Sequence, residues 1–209
     1  MRIAGLDPGK QRDSFAFVAG EIEDGKLLVK GAKRWLGRNY LDVENEIAEI
    51  HARKPFDFYI LEINNTGIHV YEVLKAQKNL PVIPVTTTKD IKDPAKKYSM
   101  KIMDKNEMVR IMLHWFQDGK ILFPQNSTGE LEELKRQLSI FAEHKTEAGT
   151  VSYRAEGQEH DDLVMALMLV CFWARRYIRG VGIVGVGPRD IEAMERSNLP
   201  PSSIRLVEG

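Results

Sequence analysis

Phe56 to Ile63 is the segment that most narrows what this chain can become, because a nearly continuous apolar run is bounded there by Lys54-Pro55 on one side and Asn64-Asn65 on the other. A run that short and that apolar suits a strand covered on both faces, which places it in the interior of a sheet packed between helices. A second constraint comes from Leu163 to Arg179, whose first turns are apolar all round. Such a helix belongs in the core rather than on a surface.

The remaining elements order themselves around these two. Arg2 to Leu6 reads as a short strand, Ser14 to Ile22 as another, and Leu27 to Trp35 as a third, with Asp24-Gly25 as the hairpin turn between the last two. Apolar positions Leu41, Val43, Ile47, Ile50 and Ala52 recur at helical spacing and stop at Lys54-Pro55. After the central strand come a helix over Ile68 to Ala76, a strand over Leu80 to Val85, a lysine-rich connector and a helix over Asn106 to Gln117. A short strand at Ile121 to Phe123, a charged helix over Gly129 to Ser139 and a hairpin within Phe141 to Tyr153 precede the final helix. The expected fold class is therefore α/β: a mixed sheet of three antiparallel strands followed by parallel ones, flanked by helices. Residues 1–180 read as one domain. Residues 181–209, with Gly182, Gly185, Gly187 and Pro188 and later Pro200-Pro201, read as a flexible or docking tail.

Composition removes several function classes. With 209 residues and 43% hydrophobic content the chain supports one sizeable core. Its single cysteine, Cys171, lies in the most apolar stretch, so the expectation is a buried thiol and a reducing, cytoplasmic setting, the host-cell cytoplasm for a viral protein. Leu163 to Trp173 is too short to span a bilayer, and the amino terminus has no signal-peptide pattern, so no membrane association is expected. Thirty basic and thirty acidic residues cancel, which leaves any polyanion contact to local patches. The densest such patch is the connector, where Lys96, Lys97, Lys101 and Lys105 are candidates for holding phosphates and a solvated loop is an equal explanation.

The chemistry lies in acids placed where apolar runs end. Asp7 closes the first strand before Pro8-Gly9, although Asp-Pro-Gly is also an ordinary turn. Asp13 stands just before the second strand, where it faces Asp7 as a further ligand or serves the turn. Glu62 ends the central strand, a position that is costly for a carboxylate without a partner or a cation. Asn64 and Asn65 follow it and serve to cap the next helix or to contact phosphate, with capping the first expectation. Asp161 and Asp162 begin the final helix, where one carboxylate is explained by capping and the helix dipole. The natural division has Asp161 capping and Asp162 in the site, with His160 as an accessory group. Oxygen-only donors from separate elements match Mg²⁺ or Mn²⁺ rather than zinc. The expected site is that of a metal-dependent phosphodiesterase.

Three stretches carry a resemblance. Gly5-Leu-Asp-Pro-Gly with Asp13, Ile60-Leu-Glu-Ile-Asn and especially His160-Asp-Asp-Leu-Val-Met-Ala-Leu resemble the motifs of the nuclease domain of viral large terminase subunits, over roughly residues 1–178. The resemblance implies an RNase H-like fold and two Mg²⁺ or Mn²⁺ ions held by Asp7, Glu62 and Asp162, joined by Asp161 and Asp13. It implies cleavage of concatemeric double-stranded viral DNA during genome packaging, with a packaging ATPase domain or subunit, a portal and a small terminase as partners. The phosphate-binding Gly-x-x-x-x-Gly-Lys-Ser/Thr loop of terminase motors does not occur in these 209 residues. A Holliday-junction resolvase of the same superfamily, an actin-like or sugar-kinase-like ATPase, and a non-catalytic assembly module are the competing readings.

Overall fold

The chain builds its sheet outward from the first strand. The computed structural model describes residues 1–9, 14–64, 66–87, 101–102, 104–145, 151–155 and 160–178. β1 (Arg2–Pro8) pairs antiparallel with β2 (Phe15–Glu23), which pairs antiparallel with β3 (Lys26–Trp35). The β2–β3 turn is the expected Asp24-Gly25, with φ of 48° and 71°. Two consecutive positive φ values match the right-handed twist of a hairpin, and glycine adopts the second without cost. On its other side β1 runs parallel to β4 (Phe58–Glu62), β4 parallel to β5 (Val82–Thr86), and β5 parallel to β6 (Lys101–Ile102). β7 (Ile121–Leu122) adds to β3, so the order is β6-β5-β4-β1-β2-β3-β7. The expected three antiparallel strands followed by parallel ones are thus present. β6 is an addition, hidden in the sequence by the charged connector around it.

Helices cover both faces. α1 (Tyr40–Arg53) and α2 (Gly67–Glu72) lie on one, where Val43, Ile47, Val70 and Leu74 pack against Ala4, Leu6, Phe17, Tyr59 and Leu61. α3 (Lys105–Gln117), α4 (Glu130–Ser139) and α5 (Asp162–Ile178) lie on the other, against Ile3, Ala16, Val18, Phe58 and Ile60. The helix expected over Ile68 to Ala76 changes character midway. It is α-helical to Glu72 and then widens into a π turn over Val73–Gln77, closed by the Lys78 amide on the Val73 carbonyl at 3.0 Å. The hairpin within Phe141 to Tyr153 is formed by β8 (Phe141–Lys145) and β9 (Val151–Ala155). Residues 181–209, the expected tail, lie outside the described residues.

α5 is the buried helix that its composition demanded: Leu163 through Ala174 are all buried, Cys171 among them. Burial raises the Cys171 thiol pKa well above the ordinary value. α5 rests directly on β1 because residue 5 is glycine. A Cβ there would meet the Ala166 carbonyl oxygen at 2.0 Å, far inside contact distance. No helix among the described residues is long and apolar enough to cross a membrane.

Candidate metal centre

Sheet register decides which acids meet. Leu6 lies level with Leu61, so Asp7 and Glu62 are the next pair along adjacent parallel strands, which lie about 4.8 Å apart. Side chains alternate between faces along a strand. Ile3, Ala16, Val18, Phe58 and Ile60 all face α5, which places Asp7, Ser14 and Glu62 on that same face. The amino terminus of α5 arrives there, and Ser14 Oγ donates a hydrogen bond to Asp162 Oδ2 across 148 residues of chain. Asp7, Glu62 and Asp162 therefore share one end of one sheet face.

The electrostatics of this corner agree with its geometry. Asp7 is half-buried, and its pKa is raised well above the ordinary carboxylate value. Burial is the largest cause, followed by the charges of Glu62 and Asp162, a hydrogen bond shared with Glu62, and the charge of Asp161. Among the described residues no lysine or arginine forms an ion pair with Asp7 or Glu62. Clustered carboxylates without a cationic side chain fit a hard divalent ion in donor type and in charge. Also among the described residues, no three His, Cys, Asp or Glu side chains stand close enough to close a metal shell. The two findings are compatible, since Coulomb interaction reaches further than a coordination bond.

Neighbouring polar groups hold the acids. Glu62 is only 8% exposed, and its Oε1 accepts from Asn64 Nδ2 at 2.6 Å and from Thr87 Oγ1. Asn64 Nδ2 also donates to Thr87 Oγ1 at 2.9 Å, while Asn64 Oδ1 accepts from Thr86 Oγ1 at 2.6 Å. This corrects the expected capping role of Asn64: its side chain braces Glu62, and Thr66 occupies the N-cap of α2. Gly67 lets α2 start there, since a Cβ would stand 2.2 Å from the Glu62 carbonyl oxygen. The turn after Asp7 is tied down by Tyr40, whose hydroxyl donates to the Gly9 carbonyl at 2.5 Å.

At α5 the Asp161 carbonyl accepts the Met165 amide at 2.9 Å, which puts Asp161 at the helix boundary as expected. The Leu163 amide is taken instead by Gln137 Oε1 of α4 at 3.0 Å. Ser14, Thr86, Thr87 and Gln137 were not among the expected site residues. Only Gln137 had a legible signal, because its spacing from Leu134 sets it on the buried side of α4.

His160 is exposed, with Nδ1 3.9 Å from Asp162 Oδ2. Lys105 is the first residue of α3 and half-buried, and Lys101 lies in the register row Glu62, Val85, Lys101 at the edge of the sheet. Asp13, Asn65, Lys96 and Lys97 lie outside the described residues. A cavity of about 130 Å³ lined by Ile111, His114, Trp115, Lys120, Arg175 and Ile178 lies toward the other end of α5 and contains none of the acids.

A family model described as the terminase RNase H-like domain matches residues 4–172. No curated protein sequence matches the chain. Among solved structures, the large terminase nuclease from thermophilic phage G20c with bound magnesium superposes with a TM-score of 0.64 at 20% identity, over 82% of this chain and 80% of that one. The Thermus phage P74-26 large terminase nuclease domain gives 0.59 at 20% identity, over 81% and 77%. A large terminase from a further thermophilic bacteriophage gives 0.62 at 13% identity, over 81% of this chain and 38% of that one. These likenesses are of fold. With the family model matching most of its length, the chain belongs to the terminase RNase H-like domain family.

Proposed function

We propose that this chain is a metal-dependent endodeoxyribonuclease that cuts concatemeric double-stranded viral DNA during genome packaging, working with a packaging ATPase domain or subunit and with portal and small terminase in the host-cell cytoplasm. The observation that carries the reading is Asp7, crowded by Glu62, Asp162 and Asp161, with no described lysine or arginine paired to it. The phage nuclease of the same fold that holds magnesium supports it.

Asp7, Glu62 and Asp162 are the residues that would hold two Mg²⁺ or Mn²⁺ ions, with Asp161 and Asp13 as further ligands. Bound there, such ions supply an activated water and stabilise the leaving oxygen of an in-line phosphodiester hydrolysis. Asp7, flanked by the other two acids, would be the ligand common to the ions. Ser14 orients Asp162, and the Asn64–Thr87 pair orients Glu62. His160 stands beside Asp162 at the solvent boundary as an accessory phosphate contact. Lys96, Lys97, Lys101 and Lys105 hold the DNA backbone, which positions the duplex without reading its sequence.

Plasmid cleavage with Mg²⁺ and with Mn²⁺ tests this, comparing the parent with Asp7→Ala, Glu62→Ala and Asp162→Ala. Each substitution is expected to abolish nicking and linearisation while the far-ultraviolet circular dichroism stays that of the parent. Full activity in one variant removes that residue from the site. A parent inert with both metals overturns the reading, and cutting confined to four-way junctions moves it to a resolvase.

A further inference from the structure

One polar cluster beside the acids joins Asn64, Thr86, Thr87 and Glu62. Thr86 Oγ1 donates to Asn64 Oδ1 at 2.6 Å, and Nδ2 faces the Glu62 carboxylate. The two Nδ2 protons go to Glu62 Oε1 at 2.6 Å and Thr87 Oγ1 at 2.9 Å, and the Thr87 hydroxyl proton goes to the same Glu62 Oε1. Thr86 is completely buried and Glu62 nearly so, so neither is free to adopt many rotamers. Thr86 ends β5 and Thr87 follows it, and the pairing of β5 with β4 sets Val85 level with Glu62. The brace is therefore a product of strand register.

Its consequence is an asymmetric carboxylate. Oε1 takes both donors. Groups that hydrogen-bond a metal-binding carboxylate fix which oxygen it presents. Resting on the metal-centre reading above, we infer that Thr87, set by the Thr86–Asn64 bond, is a positioning residue that makes Glu62 a one-oxygen ligand and thereby sets the divalent-ion affinity of the site. Thr87 touches neither the ion nor the DNA; it acts through Glu62.

The test is Mn²⁺ binding to the whole chain by titration calorimetry without DNA, together with the Mn²⁺ dependence of plasmid cleavage, for Thr87→Val, Thr87→Ser and Asp7→Asn. Valine keeps the shape and removes the donor, whereas serine keeps the donor. Thr87→Val is expected to weaken Mn²⁺ binding roughly 10-fold and to shift half-maximal cleavage to correspondingly higher Mn²⁺. Thr87→Ser is expected to restore both. Parent-like binding in Thr87→Val, or a serine variant as weak as the valine one, overturns the inference. If Thr87→Val binds like the parent while Asp7→Asn loses Mn²⁺, only the inference fails; if Asp7→Asn also binds like the parent, the metal-centre reading fails with it.

Discussion

Gln137 caps the helix that carries Asp162: its Oε1 accepts the Leu163 amide at 3.0 Å, and the side chain is completely buried. A helix leaves its first amides without intrahelical partners, and a buried one must find acceptors elsewhere. Here the acceptor comes from α4, so the placement of Asp162 depends on the packing of α4 against α5. Gln137 is itself held by Nε2 donating to Glu133 Oε1 at 3.1 Å.

Gln137→Leu is expected to destabilise the protein by about 1–3 kcal/mol, because the Leu163 amide is left buried without an acceptor. Urea unfolding measures it. Plasmid cleavage should fall as well under conditions where the variant remains folded, since the start of α5 loses one of its fixed points. Unchanged stability removes Gln137 from the support of that helix.

Gly5→Ala addresses the contact between α5 and β1. With Ala166 oxygen 2.0 Å from the added Cβ, helix or strand must shift. The expected loss is about 3 kcal/mol or more, at the upper end of overpacking effects, read as a drop in thermal midpoint. A neutral Gly5→Ala means that α5 does not seat as closely as described.

Glu133 links stability to pH. Its pKa falls from 4.5 to about 2, chiefly through hydrogen bonds from Arg136, with Gln137 and the charges of Arg34 and Arg136 adding to the effect. A carboxylate depressed in the folded state contributes stability that is complete above the unfolded value near 4.5 and is lost as pH falls toward 2. Because the network is partly solvated, about 1 kcal/mol is expected. Urea midpoints for the parent and Glu133→Gln between pH 6 and pH 2.5 should converge as the pH drops. Parallel curves contradict the assignment.

Asp7→Asn exchanges function for stability. Removing one charge from a crowded, half-buried set of carboxylates is expected to raise stability without metal while ending cleavage. Added Mg²⁺ should raise the thermal midpoint of the parent and leave that of Asp7→Asn unmoved, since only an ion bound to the folded state stabilises it. A variant less stable than the parent in metal-free buffer contradicts the crowding of Asp7.

Much of the architecture was legible in local pattern. Asp24-Gly25 announced a hairpin because only certain residues accept two positive φ values in succession. Phe58 to Leu61 and Leu163 to Ala174 announced burial because apolar surface on every side has no other place to go. Asp7, Glu62 and Asp162 were visible as charges at the ends of such runs.

Other features have no local signature. β6 consists of two residues in a lysine-rich stretch and exists only because the edge of β5 offers unpaired backbone groups. Asn64 had the sequence context of a cap, yet Thr86 and Thr87 beside it turned its amide toward Glu62. By itself the sequence determined which segments must be buried, where the chain turns and which acids stand at the margins of the core, since hydrophobic burial and backbone sterics act over a few residues. Tertiary structure alone decided that Ser14 meets Asp162, that Thr87 meets Glu62 and that Gln137 meets Leu163, because a hydrogen bond between distant segments is directional and exists only once strand register and helix packing have set both partners in place.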